Sequence, residues 1–291
     1  MRYDIRINGF SSLVAFIFCL FISAAATASP TPTQFYLVSI GCGDPDNITL
    51  KAHKTIQNAQ VVFCDPQMKK MFPALLADKE TLPRPPIAIH KYFRAKQSGF
   101  AQGKPVKKTY KHEKAKKALD AFVSTVKAAA KSGKTVCLLE YGDPCIYGPY
   151  IWTLDVLKDL NPKVITGVSS FNTASAALQR GVTFGRAARS VILTNGADLR
   201  HGYTGADTLD RMTATRSSLV IFTMFTDFEK LMAELGKRLP QKTPVAIVVK
   251  AGYDAEERVI RGTLANIVPR VKAEGKLPFE HLIYVGDFMA D

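Results

Sequence analysis

The residues best placed for chemistry lie in two glycine turns. The first, Gly41-Cys42-Gly43-Asp44-Pro45, follows an apolar run from Phe35 to Ile40, and the second, Gly142-Asp143-Pro144, follows a run from Thr135 to Tyr141. Glycine permits backbone angles that a β-carbon forbids, so a ligand can approach the main chain closely at each turn. At the ends of parallel strands the two turns would face each other across a small-molecule site. Asp46 or Asn47 is expected to cap the helix that follows, with its free N–H groups facing the same cleft. Asp65 ends a short strand predicted over Gln60 to Cys64, which puts its carboxylate on the cleft side of the sheet. A third strand, Ile87 to Tyr92, is expected to deliver His90 and Lys91 to the same rim.

Several other chemistries have little support. The first turn lacks the third glycine of a dinucleotide fingerprint, and no P-loop lysine appears. Neither Gly-x-Ser-x-Gly nor His-Glu-x-x-His occurs. The five histidines, at 53, 90, 112, 201 and 281, form no ligand-spaced cluster, so no metal site is expected. Cys42, Cys64, Cys137 and Cys145 include no Cys-x-x-Cys pair. A bridge between Cys42 and Cys145, one in each glycine turn, is possible, whereas Cys64 and Cys137 read as buried small apolar residues.

The elements that must position these turns follow from composition and pattern. The chain has 291 residues, 47% of them hydrophobic and 22% charged, enough for one large or two modest globular domains. Arg2 and Arg6 precede an apolar run from Leu13 to Ala25, and Ala26-Thr27-Ala28 matches a small-x-small cleavage pattern. Residues 1–28 are therefore expected to be an export signal, 29–34 a linker, 35–165 an N-terminal α/β domain and 166–291 a C-terminal one. An uncleaved anchor is the competing reading, but the run is short for a span of ~20 residues. No later run is long enough for a membrane span, and the mature chain is expected to be periplasmic.

Formal net charge is +14, and +13 without residues 1–28, which carry Arg2, Arg6 and Asp4. Between Lys91 and Lys134, thirteen Lys and Arg face only Glu113 and Asp120. Such a block attracts polyanions, or is simply a solvated helix face with a flexible loop. No nucleic-acid motif accompanies it, and no nucleic-acid partner is expected.

Along the chain, helices are expected over Ile48–Asn58, Gln67–Leu76, Tyr110–Ser132 and Tyr150–Leu160, with Thr81–Pro86 irregular and Phe93–Thr109 a mobile loop. A strand stub at Val164–Thr166 leads through Gly167-Val168-Ser169-Ser170 into another helix. In the second half, strands are expected at 189–194, 218–224, 244–250, 257–261 and 281–288, with helices at 227–239 and 264–274. This alternation suits a mixed α/β domain.

Residues Tyr36 to Leu50, Val62 to Asp65, Tyr141 to Gly148, Gly167 to Ser170, and Arg258 with Gly262-Thr263-Leu264 together resemble the tetrapyrrole methylases, S-adenosylmethionine-dependent enzymes of corrin and sirohaem synthesis. The resemblance spans about Phe35 to Asp291. It implies two α/β domains of tetrapyrrole-methylase type with the ligand cleft between them, commonly as a homodimer. By motif position it places S-adenosylmethionine contacts on Cys42, Tyr141, Gly142, Asp143, Ile146, Ser169, Ser170, Met224 and Gly252. It likens Asp65 to a proton acceptor and Lys91 to a proton donor. The implied substrate is a polycarboxylate tetrapyrrole, which gives the basic block a purpose. Departures are Cys42, where the family usually has proline, and Pro149, where an arginine is common. The export signal fits a second reading, an exported non-catalytic protein that binds a tetrapyrrole or another anion in the same cleft.

Overall fold

A computed structural model describes residues 32–101, 110–184, 188–196, 203, 205–223 and 226–290. The expected export signal lies outside the described residues. From Thr33 onward the chain forms one compact unit holding two five-stranded sheets.

In the first sheet β1 (Phe35–Ser39), β2 (Val61–Phe63), β3 (Glu80–Leu82), β4 (Val136–Glu140) and β5 (Lys163–Ile165) run in the order β3-β2-β4-β1-β5, all parallel. Every residue of β4 is buried, and so are four of the five in β1, because helices cover both faces. On one face Phe35, Phe63 and Leu138 pack with Phe122, Val126 and Trp152; on the other Val38, Val62 and Leu139 pack with Ile56 and Met68. The second sheet is mixed, as its pattern predicts. β6 (Val191–Asn195) pairs parallel with β7 (Ser218–Phe222), and β10 (His281–Val285), β8 (Pro244–Val249) and β9 (Arg258–Thr263) continue antiparallel in the order β6-β7-β10-β8-β9.

The helices are α1 (Leu50–Gln57), α2 (Pro66–Met71), α3 (Pro73–Leu76), α4 (Ile87–Ala101), α5 (Tyr110–Lys131), α6 (Thr153–Val156), α7 (Ser170–Leu178), α8 (Leu209–Ala214), α9 (Phe228–Gly236) and α10 (Ile267–Glu274). Five expectations are corrected. Ile87 to Tyr92 is the start of α4, not a strand. Its apolar residues serve a helical period: Ile89 is buried, Phe93 stacks 5.2 Å from Trp152, and Ile87 is half exposed. The expected loop from Phe93 is helical to Ala101, and residues 102–109 lie outside the described set. Thr81 is in β3 rather than irregular. Tyr150 to Leu160 is mostly turns around α6, closed by Asn161 at a left-handed φ of 47°. Helix α1 is capped by Thr49, whose Oγ1 accepts the Ala52 N–H at 3.1 Å, and not by Asp46 or Asn47.

Candidate active site

Strands β1 and β4 are neighbours in register, Ser39 opposite Glu140, so their C-terminal turns emerge side by side. The two turns touch. Gly41 and Gly142 form an antiparallel bridge, with the Gly142 N–H donating to the Gly41 carbonyl at 2.7 Å. Beneath them the fully buried Ser39 hydroxyl accepts the Gly41 N–H at 3.0 Å and donates to the Gly142 carbonyl. One hydroxyl thus satisfies both turns where a buried orphan would be costly.

A loop from the second sheet reaches the same turns. Gly252, three residues past β8, accepts the Asp44 N–H at 2.7 Å and the Asn47 Nδ2 at 3.3 Å; the same amide donates to Cys42 O at 3.0 Å. Gly43 has a φ of 92°, and a β-carbon there would run into the Gly252 backbone. Gly142 has a φ of 67°, yet a β-carbon there would meet nothing within 4 Å. The first glycine permits close packing, while the second presents bare main chain to open space.

Each expected site residue within the described set has a definite place. The half-buried Cys42 points its thiol at Ala251 O, 3.8 Å away, and burial pushes that thiol up from its ordinary pKa. Tyr141 is 37% exposed. Asp143 accepts the Cys145 N–H at 2.8 Å and shapes the second turn. Ile146 packs partly buried against the core of the second sheet. Ser169 is buried as the N-cap of α7, in a reciprocal capping box with Asn172, and Ser170 opens that helix half-buried. Thr173, one turn along α7, lies beside both Cys42 and Gly252. Met224 lies outside the described residues. Lys91 is exposed on α4, and no hydrogen bond or ion pair among the described residues ties it to the glycine turns. The four cysteines among the described residues are all free, so the bridge between Cys42 and Cys145 does not form; Cys64 and Cys137 are buried, as expected.

Asp65 is more constrained than its sequence position implies. It caps α2 through a 2.9 Å bond from the Met68 N–H, accepts the Tyr141 hydroxyl at 3.1 Å, and pairs with Arg84 at 2.6 Å. Arg84 lies over the rings of Tyr141 and Tyr150, at 5.4 and 5.5 Å from their centres. Beside it is Glu140, 1% exposed, with both carboxyl oxygens unpartnered. Burial pushes the Glu140 carboxyl up to about 8, opposed by the charge of Arg84. Neither Arg84 nor Glu140 is marked by the motifs. Glu140 did leave a signal, since a charged residue shares the inward period of Val136 and Leu138; Arg84, in Pro83-Arg84-Pro85-Pro86, left none.

Among the described residues no group of three His, Cys, Asp or Glu can hold a metal ion, and no helix is long and apolar enough to cross a membrane. A cavity of about 430 Å³ lined by Tyr36, Lys51, Lys54 and Thr135 lies by the N-terminal ends of β1 and β4, away from the glycine turns.

Paired strand-end turns on a parallel sheet, met by a loop from a second mixed sheet, make this a two-sheet α/β protein whose candidate site lies where the sheets meet. The family model for tetrapyrrole (corrin/porphyrin) methylases matches residues 34–268. The chain belongs to that family and is an S-adenosylmethionine-dependent C-methyltransferase. It is 29% identical over 258 residues to the cobalt-precorrin-4 C(11)-methyltransferase of Methanocaldococcus jannaschii, covering 87% of each chain. It is 30% identical over 255 residues to the uroporphyrinogen-III C-methyltransferase of the same organism, covering 86% of this chain and 94% of that one. Among solved structures, a cobalt precorrin-4 methyltransferase superposes with a TM-score of 0.66 at 23% identity, over 90% of this chain and 100% of the other, a likeness of fold. The uroporphyrin-III C-methyltransferase of Thermus thermophilus gives 0.58 at 25% identity, over 88% and 93%.

Proposed function

We propose that the chain methylates a ring carbon of a polycarboxylate tetrapyrrole of the precorrin or uroporphyrinoid type, working as a homodimer. The observation that carries this reading is the contact between the Gly41 and Gly142 turns, with open space over Gly142. Main chain at Cys42, Gly142 and Gly252, with the side chains of Tyr141, Asp143, Ile146 and Ser170 around them and Met224 assigned by motif position alone, would hold the methyl donor; Ser169 contributes by fixing the start of α7. S-adenosylmethionine supplies an electrophilic methyl group on a sulfonium. The protein's task is then alignment of donor and ring carbon, which can account for much of the rate without strong acid or base groups. Asp65 would accept a proton lost from the ring only after giving up one of its three partners, and Lys91 would reach the substrate from α4. Exposed lysines 114, 116, 117, 127 and 131 on α5 would favour a polycarboxylate.

The N-terminal pattern, Arg2 and Arg6 before Leu13–Ala25 and Ala26-Thr27-Ala28, supports export to the periplasm with cleavage after Ala28. That pattern also favours the second reading, an exported non-catalytic binder of tetrapyrrole or another anion. Titration calorimetry of the reduced mature protein with S-adenosylmethionine and S-adenosylhomocysteine separates the two. The enzyme reading expects binding of both, weakened at least about tenfold by Asp143→Ala, as loss of a hydrogen bond to a charged group would do. No binding by the wild-type protein removes that reading, and unchanged affinity in the variant removes the placement of the donor.

A further inference from the structure

Glu140 joins two parts of the molecule. Its main chain accepts the Ile40 N–H at 2.9 Å, and the next two residues are Tyr141 and Gly142, the latter bonded to Gly41. Its side chain points to the face of β4 that also carries Val136 and Leu138, the face that packs with Tyr150 and Trp152. There both carboxyl oxygens are buried without a partner. The nearest cation is already engaged: Arg84 bonds Asp65 at 2.6 Å, and Asp65 in turn holds the Tyr141 hydroxyl at 3.1 Å. The groups facing Glu140 are Arg84 from the segment after β3, Asp143 and Cys145 from the turn after β4, and both the main chain and the phenol of Tyr150, whose hydroxyl donates to the Pro85 carbonyl. Of these, Arg84 alone carries a positive charge.

We propose that Glu140 is a positioning residue for the Tyr141–Gly142 turn and acts through Arg84. While the carboxyl is neutral the guanidinium stays on Asp65, Tyr141 is latched, and the turn is set to receive the donor. When it ionises, a buried anion next to a guanidinium that is already desolvated by two tyrosine rings draws Arg84 inward. Asp65 and Tyr141 lose their shared cation, and donor affinity falls. This inference rests on the proposed donor site. Burial, which pushes the Glu140 carboxyl up to about 8, brings the change into an accessible pH range.

The test uses the full mature chain and two readouts. Trp152 is the only tryptophan and lies on the same face of the sheet, so its fluorescence reports ionisation of Glu140 without any ligand. Calorimetry from pH 6 to 9.5 reports S-adenosylhomocysteine affinity. The expected result is a fluorescence inflection near pH 8 and a fall in affinity of about tenfold across it. Both should vanish in Glu140→Gln, and in Glu140→Leu as a second non-titrating replacement. Saturating S-adenosylhomocysteine should move the inflection up by about one pH unit, because the coupling is reciprocal. An inflection that survives both substitutions overturns the proposal. So does a Glu140-dependent inflection with affinity flat in pH. Absence of S-adenosylhomocysteine binding at every pH in wild type and variants overturns the proposed function and the coupling with it.

Discussion

Residue identity at the site is decided by what each neighbour leaves unsatisfied. Ser39 satisfies two turns with one hydroxyl, whereas Glu140 brings a carboxyl into the core with no well-formed hydrogen bond, only the Tyr150 main chain and the Arg84 charge to offset its burial. The cost of Glu140 depends on pH, and its sign follows from the raised pKa. Below the ordinary carboxyl value of 4.5 the group is protonated whether the chain is folded or not, and no penalty arises. Between 4.5 and about 8 the unfolded chain ionises while the folded one keeps its proton, so folding stability falls as pH rises. Above that range both are ionised and the penalty is constant. Glu140→Gln should therefore match wild type near pH 4 and exceed it in stability by ~5 kcal/mol at pH 8.5, in urea unfolding at the two pH values. An unchanged difference between those pH values would show that the carboxyl is not desolvated as described.

At the scale of the turn, two glycines of similar backbone conformation have opposite roles. Gly43 lies against the Gly252 backbone, and Gly142 faces open space. Gly43→Ala should cost more than ~2 kcal/mol, since positive φ and a backbone collision add. Gly142→Ala should cost only ~1 kcal/mol while lowering donor affinity at least tenfold; paired unfolding and calorimetry measurements check both. Helix α5 is amphipathic: Ala115, Phe122, Val126 and Ala130 are buried and Lys114, Lys116, Lys117, Lys127 and Lys131 are exposed. Replacing Lys114, Lys116 and Lys117 by glutamine should weaken polycarboxylate tetrapyrrole binding several-fold at low salt and flatten its salt dependence. Equal affinity and an equal salt slope would reduce the lysines to a solvated face.

For the whole molecule, the parallel sheet supplies two adjacent strand ends and the mixed sheet supplies the Gly252 loop that closes on them. The bond from Asp44 to Gly252 and the Asn47 amide spanning Cys42 and Gly252 join the sheets at the site itself. Donor binding should therefore stiffen both sheets together. The proposed export is tested at this scale too. Mass spectrometry of the protein from its native host should find a mature N-terminus at Ser29 in the periplasmic fraction; an intact Met1 in the cytoplasm would discard the export signal.

What the sequence determined by itself was local and repetitive: apolar runs of strand length, the glycine turns that end them, and the one-sided periodicity of α5. These signals are legible because backbone conformation and the side-chain repeat are set by near neighbours in the chain. Short-range pattern failed where a helix could pass for a strand, as at Ile87 to Tyr92, whose period became plain only when Ile89 and Phe93 met the aromatic core around Trp152. Tertiary structure alone decided that Gly41 touches Gly142, that Arg84 pairs with Asp65 while its charge acts on Glu140, and that Asn47 bonds a loop 205 residues away instead of capping a helix. Contacts between distant segments depend on how strands are ordered in a sheet, and that order is set by the burial of whole faces, which no single stretch of residues encodes.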